Sequence, residues 1–171
     1  MEKNINTHIK EGKAYKIAMG AMLTATALIF SYIEVLIPFN FGLPGIKLGL
    51  SNLIVIIALY RLGTGYAFLV NISRILLSGL LFGGMSAMIY SLAGGLLSFA
   101  VMWILKKTNL FSPIGVSMAG GVFHNIGQLT VAALITETGK IFLYMPALLI
   151  SGTLTGVLIG IAAVYILKSI K

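Results

Sequence analysis

The sequence predicts an all-α integral membrane protein built as a bundle of six transmembrane helices. Its composition is the first reason: of 171 residues, 58% are hydrophobic and only 9% charged, with a mean hydropathy of +1.03. Soluble domains carry about 25% charged residues, so a water-soluble globular fold is excluded. The second reason is that the apolar residues fall into uncharged runs near the ~20 residues needed to cross a bilayer. The third is that the basic residues sort to one side of those runs, as the positive-inside rule requires.

The first run, Ile17 to Ile37, follows Lys3, Lys10, Lys13 and Lys16. It is long and lacks a small-residue cleavage pattern, which predicts an uncleaved first helix behind a basic cytoplasmic segment at residues 1–16. The second, Leu48 to Tyr60, has about 13 residues, ~20 Å of helix against a ~30 Å hydrocarbon core. The turn-rich, mostly apolar stretch from Pro38 to Gly49 before it is expected to fold back over the bundle at the outer surface, as an ordinary turn or as a substrate-covering loop. The third run, Thr64 to Leu81, contains Arg74 near its middle. The remaining three are Ser86 to Leu105, Pro113 to Ile135 and Tyr144 to Leu167. One domain then covers residues 1–171.

With the N-terminus in the cytoplasm, nine of the twelve basic residues lie inside: Lys3, Lys10, Lys13, Lys16, Arg61, Lys106, Lys107, Lys168 and Lys171. Lys47 and Lys140 fall outside, and an even number of spans returns the C-terminus to the cytoplasm. The net charge of +8 is thus explained by topology rather than by nucleic acid. The expected location is a bacterial-type plasma membrane, crossed several times.

Small residues recur at helix-packing intervals. Gly152, Gly156 and Gly160 in the last run, and Ser91, Gly94, Gly95 and Ser98 in the fourth, are expected to serve internal contacts. Ala14, Ala18, Ala21 and Ala25 in the first form a stripe open to either an internal or a partner contact.

Polar residues inside the runs point to a site. An arginine within a span costs at least ~2.5 kcal/mol on insertion scales and must face a partner or a wet cavity. Asn71 and Ser78 share its helical face. The fifth run carries Ser117, Gly121, His124 and Gln128 along one stripe with Asn125 beside it, and Gln128 and His124 fall near the depths of Arg74 and Asn71. Asn52 and Lys47 sit nearer the outside, as does Glu34, one turn from the end of the first run. The reading is a polar pocket in the outer half of the bundle, where Arg74 offers a planar donor fork to an anionic or carbonyl-bearing ligand, with His124, Gln128, Asn52, Asn71, Asn125 and Lys47 around it. A structural network, with Arg74 paired to Glu34 or to carbonyls, is the competing reading.

Other chemistries are excluded by what the chain lacks. It has no cysteine and no aspartate, and its carboxylates are Glu2, Glu11, Glu34 and Glu137 alone. Disulfides, thiolate metal sites and most magnesium-dependent chemistry therefore fall away. His124 is the one intramembrane histidine, which argues against a metal site, and Glu137-Thr-Gly-Lys140 is no phosphate loop. No cofactor, no catalytic residue and no metal is expected.

Four segments in order, Pro44-Gly-Ile-Lys-Leu-Gly-Leu-Ser-Asn52, Ser73-Arg-Ile-Leu-Leu-Ser-Gly79, Ser91-Leu-Ala-Gly-Gly95 and Gly120-Gly-Val-Phe-His-Asn-Ile-Gly-Gln128, resemble the Gx transporter family, often labelled heptaprenyl diphosphate synthase component I. That family is similar to the S components of energy-coupling-factor transporters. The resemblance implies a small six-helix subunit that captures a vitamin-like or flavin-like solute near the outer surface and docks on a transmembrane coupling subunit driven by two ATPases. It also implies docking through small residues of the first helix, here Ala14, Ala18, Ala21 and Ala25. Head-to-tail prenyl synthases hold magnesium with aspartate-rich motifs, which a chain without aspartate cannot supply. The enzyme-like label therefore implies an accessory partner of such a synthase or a carrier of isoprenoid or quinone material. A membrane component of a quinone-linked or flavin-based extracellular electron-transfer pathway is the alternative function, with a lateral opening to membrane lipid lined by Phe82, Met85, Met88 or Phe123.

Overall fold

A computed structural model describes residues 12–36 and 49–170, and the helices are α1 (Lys13–Leu36), α2 (Leu50–Arg61), α3 (Thr64–Ser78), α4 (Gly84–Thr108), α5 (Pro113–Ile135) and α6 (Met145–Ser169). A π-helical turn, Gly79–Gly83, joins α3 to α4, and a 3₁₀ turn, Gly139–Tyr144, leads into α6. No strand occurs among the described residues. Lys47 and the expected outer loop from Pro38 to Leu48 lie outside the described residues, as do Lys3, Lys10 and Lys171.

By length and hydropathy the described residues give fewer than six separate spans. Four helical runs are long and apolar enough to cross a membrane: Lys13–Leu36, Thr64–Thr108, Pro113–Ile135 and Gly139–Ser169; the Leu50–Arg61 helix is apolar but shorter. The reason is that no polar loop separates the expected third and fourth runs, so helical hydrogen bonding passes through Gly79–Gly83. The 45-residue run nevertheless folds back on itself. Gly84, at φ 76° and ψ 167°, occupies a conformation that only glycine adopts readily, and it reverses the chain. Beyond it α4 returns along α3: Asn71 Nδ2 donates to Gly95 O at 3.0 Å, and the Phe68 and Phe99 rings meet at 5.5 Å.

α2 is hydrophobic on every side, and it is buried on every side. Leu53 to Leu59 are each at most 9% exposed, so this short helix forms the middle of the core, with α1, α3 and α6 around it. Gly49 precedes it in the left-handed region, at φ 70°, and Asn52 N donates back to Gly49 O at 2.8 Å. The last turn is capped from outside: Lys106 Nζ donates to Leu59 O while lying 5.0 Å from the centre of the Tyr60 ring.

α4, α5 and α6 pack through glycine. A Cβ on Gly156 would stand 2.6 Å from Met118 Cα, one on Gly160 2.7 Å from Ile114 Cα, and one on Gly152 2.9 Å from Gly121 O. These three contacts run antiparallel along α5 and α6 and bring the backbones together closely enough for dispersion to replace the hydrophobic effect that lipid does not provide. Gly94 and Gly127 do the same between α4 and α5.

The contacts collect Lys16, Arg61, Lys106 and Lys168 at one end, with Lys140 at the other. Gly20, one turn after Lys16, faces Leu62 beside Arg61, and Lys106 reaches Leu59. Gly160 meets Ile114, so the Lys168 end of α6 lies beside the start of α5. The other end is formed by the C-terminus of α1, the N-terminus of α2, the Gly79–Gly83 turn and the 3₁₀ turn.

Candidate functional site

Arg74 lies at the wall of a cavity of about 290 Å³ in the half of the bundle away from the basic end. Three helices position it. α3 carries it beside Asn71, one turn earlier, whose Oδ1 accepts from Arg74 Nε at 3.2 Å and Nη2 at 3.0 Å. α2 supplies Ser51, whose Oγ accepts from Nη1 at 2.8 Å, and Asn52, whose Oδ1 accepts from Nη2 at 3.1 Å. α4 fixes the clamp itself, because Asn71 Nδ2 is spent on Gly95 O. Arg74 as a whole is 5% exposed.

Guanidinium has five N–H donors. Four hydrogen bonds engage them, all to neutral oxygens of Ser51, Asn52 and Asn71. Among the described residues no acceptor engages the second Nη1 hydrogen, on a side chain that lines the cavity. The network therefore holds the fork rigidly without neutralising it by direct contact, and Glu34 attracts it through space. Glu34 is placed by another demand: its Oε1 accepts Leu50 N at 2.6 Å, at the N-terminus of α2, where a carboxylate is favoured.

The opposite wall comes from α5 and α6. Ser117, Gly121, His124 and Asn125 line it, and Thr155 and Gly156 complete it. Phe82 and Met88, at the α3 to α4 turn, supply apolar lining, and Phe82 meets Tyr32 of α1 edge-on with ring centres 5.4 Å apart. A second cavity of about 340 Å³ lies between α4, α5 and the 3₁₀ turn. It is mostly apolar, with Tyr90, Leu129, Ile141, Tyr144 and Leu148 on its wall, and it shares Ala87 and Asn125 with the first. Asn125 Nδ2 donates to Leu148 O at 2.8 Å at this junction.

The family profile described as heptaprenyl diphosphate synthase component I matches residues 23–166. The chain belongs to that family. The heptaprenyl diphosphate synthase component I match takes in every residue of the Arg74 cluster and both cavities. No curated protein and no solved structure matches the chain.

In this component I chain the expected site residues divide into three groups. Arg74, Asn52, His124 and Asn125 come together on the first cavity. Asn71 is 1% exposed and off the cavity, so it positions Arg74 rather than facing the space. Gln128, one turn beyond His124, lies against Gly94 of α4 and lines the second cavity, not the first. Ala14, Ala18, Ala21 and Ala25 are exposed on one side of α1. Sequence reading missed Ser51 and Thr155. Ser51 adjoins Asn52 and was within reach of the same argument; Thr155 bonds back to Ser151 O at 2.9 Å, as threonines in many apolar helices do, and gave no signal.

Proposed function

We propose that this membrane protein of the heptaprenyl diphosphate synthase component I family is a non-catalytic binding subunit that holds a small molecule in the Arg74 cavity. The observation that carries the reading is the buried guanidinium of Arg74, fixed by four hydrogen bonds to neutral groups and with one donor left over on a cavity wall. A purely structural arginine has no use for an adjoining polar chamber. The rigid network resembles what ligand recognition requires, because a preorganised donor loses little entropy on binding. Asn52, His124 and Asn125 are the further contacts, while Asn71 and Gln128 support the site from its margins.

The mode of action that fits is that of an S component of an energy-coupling-factor transporter. The Thr64–Thr108 run supplies two crossings, α2 a partial one, and six passes leave both termini in the cytoplasm of a bacterial-type plasma membrane. The basic end of the bundle then faces inward and the Arg74 cavity outward. A vitamin-like or flavin-like solute enters there, and the exposed Ala14, Ala18, Ala21 and Ala25 face meets a transmembrane coupling subunit with its ATPases.

A second reading is favoured by Phe82 and Met88 on the cavity wall and by the family's name. In it the protein is an accessory partner of a prenyl diphosphate synthase, or carries isoprenoid, quinone or flavin-linked material reached sideways from lipid. Native mass spectrometry of the detergent-purified protein from its host tests the two. A retained water-soluble compound with an ATPase-linked partner supports the first; a retained prenyl lipid or quinone with synthase or redox partners replaces it with the second.

A further inference from the structure

Two cavities with opposite character meet at Asn125 and Ala87. The first carries hydroxyls, amides, an imidazole and one charge of each sign, Arg74 and Glu34 being the charged side chains on its wall among the described residues. The second is bounded by Tyr90, Ile141, Tyr144 and Leu148, with Gln128 as a polar side chain near the junction. Ligand sites typically occupy about 300–1,000 Å³. Each cavity alone stands at the foot of that range, at about 290 and 340 Å³, and the pair stands well inside it.

We infer that one amphiphilic molecule spans both cavities, with a carbonyl-bearing head at Arg74 and an apolar body between Tyr90 and Tyr144. This rests on the reading of the Arg74 cavity as a ligand site and names the class of ligand. Arg74 and Glu34 both line the first cavity, and Glu34 Oε1 already accepts Leu50 N. A carbonyl oxygen needs only the spare hydrogen. At the junction Asn125 has committed its Nδ2 to Leu148 O, which leaves its Oδ1 as an acceptor for a donor on the head. The apolar body then follows the wall past Ala87, a small residue that lines both cavities.

The test uses the native protein in nanodiscs and two photoreactive probes. Both are benzoquinones with a ten-carbon tail; one has a diazirine on the ring, the other at the end of the tail. A chain without cysteine does not capture quinones by thiol addition. The ring probe is expected to label peptides containing Ser117 or Thr155, the tail probe those containing Tyr90, Tyr144 or Leu148. Excess unlabelled tailed benzoquinone should lower both labels more than tenfold. Tail label confined to the outward faces at Leu154, Leu158 and Tyr165 would overturn the inference while leaving the Arg74 cavity as a head site. Ring label away from Ser117 and Thr155 would overturn the underlying reading as well. A tail-free benzoquinone that erases the ring label but spares the tail label would refute a single spanning ligand.

Discussion

Arg74 Nη1 and Ser51 Oγ, 2.8 Å apart, tie the third helix to the second at the edge of the cavity. The bond joins the helix that carries the charge to a helix that is itself too short to span, so the site and the core share their central contact.

Replacing Arg74 with alanine is expected to abolish ligand retention while leaving the protein in the membrane. A hydrogen bond from a charged group contributes about 1.5–3 kcal/mol, which corresponds to a loss of roughly 10- to 150-fold in affinity. Bound small molecules counted by native mass spectrometry, with size-exclusion behaviour as the check on folding, measure this. Retention at the native level in a well-folded variant removes Arg74 from the site.

Asn71→Leu should act through Arg74. The substitution strips the clamp from Nε and Nη2 and leaves Gly95 O without its donor. Affinity should fall by about tenfold, near the ~1.4 kcal/mol of one lost interaction, together with thermal stability in detergent. Unchanged affinity would show that the orientation of the fork is immaterial.

Gly156→Val should destabilise the bundle by about 1–3 kcal/mol, because its Cβ would stand 2.6 Å from the backbone of Met118. Gly139→Ala, with nothing within 4 Å, is the control and should be neutral. Unfolding in mixed micelles compares the two. A neutral Gly156→Val would mean that α5 and α6 are not in the close contact described.

Leucines at Ala18 and Ala25 should leave the bundle intact, since both positions are exposed, yet prevent co-purification with a transmembrane coupling subunit. Undiminished recovery of a partner would place its docking surface elsewhere.

A chain without native cysteine allows clean accessibility mapping. A membrane-impermeant thiol reagent added from outside should label Lys140→Cys and spare Lys107→Cys; the reverse pattern inverts the proposed topology.

How much of this was legible in the sequence depended on the kind of signal. The helical character, the glycine contacts of Gly152, Gly156 and Gly160, and the need of Arg74 for polar partners followed from composition and spacing, because a bilayer leaves few alternatives for apolar runs and buried charge. The count of separate runs did not, since the reversal depends on one positive φ angle at Gly84, with no polar loop to mark it. The cavity that Gln128 lines was not readable either. Residues four apart on a helix share a face, and the division between the cavities runs across that face at Asn125, a tertiary feature that periodicity does not encode.

The second helix has consequences for how the protein is made. With twelve residues, Leu50–Arg61 covers only ~18 Å, and its two ends are satisfied by side chains from elsewhere, Glu34 at Leu50 and Lys106 at Leu59. During synthesis Glu34 emerges before it, but Lys106 emerges long after it. The helix therefore has no complete set of partners when it leaves the ribosome, and it acquires its final depth only after the fourth helix has entered the bilayer. Biogenesis of this protein is in that sense not a sequence of independent insertions: the innermost segment is settled late, by residues translated after it.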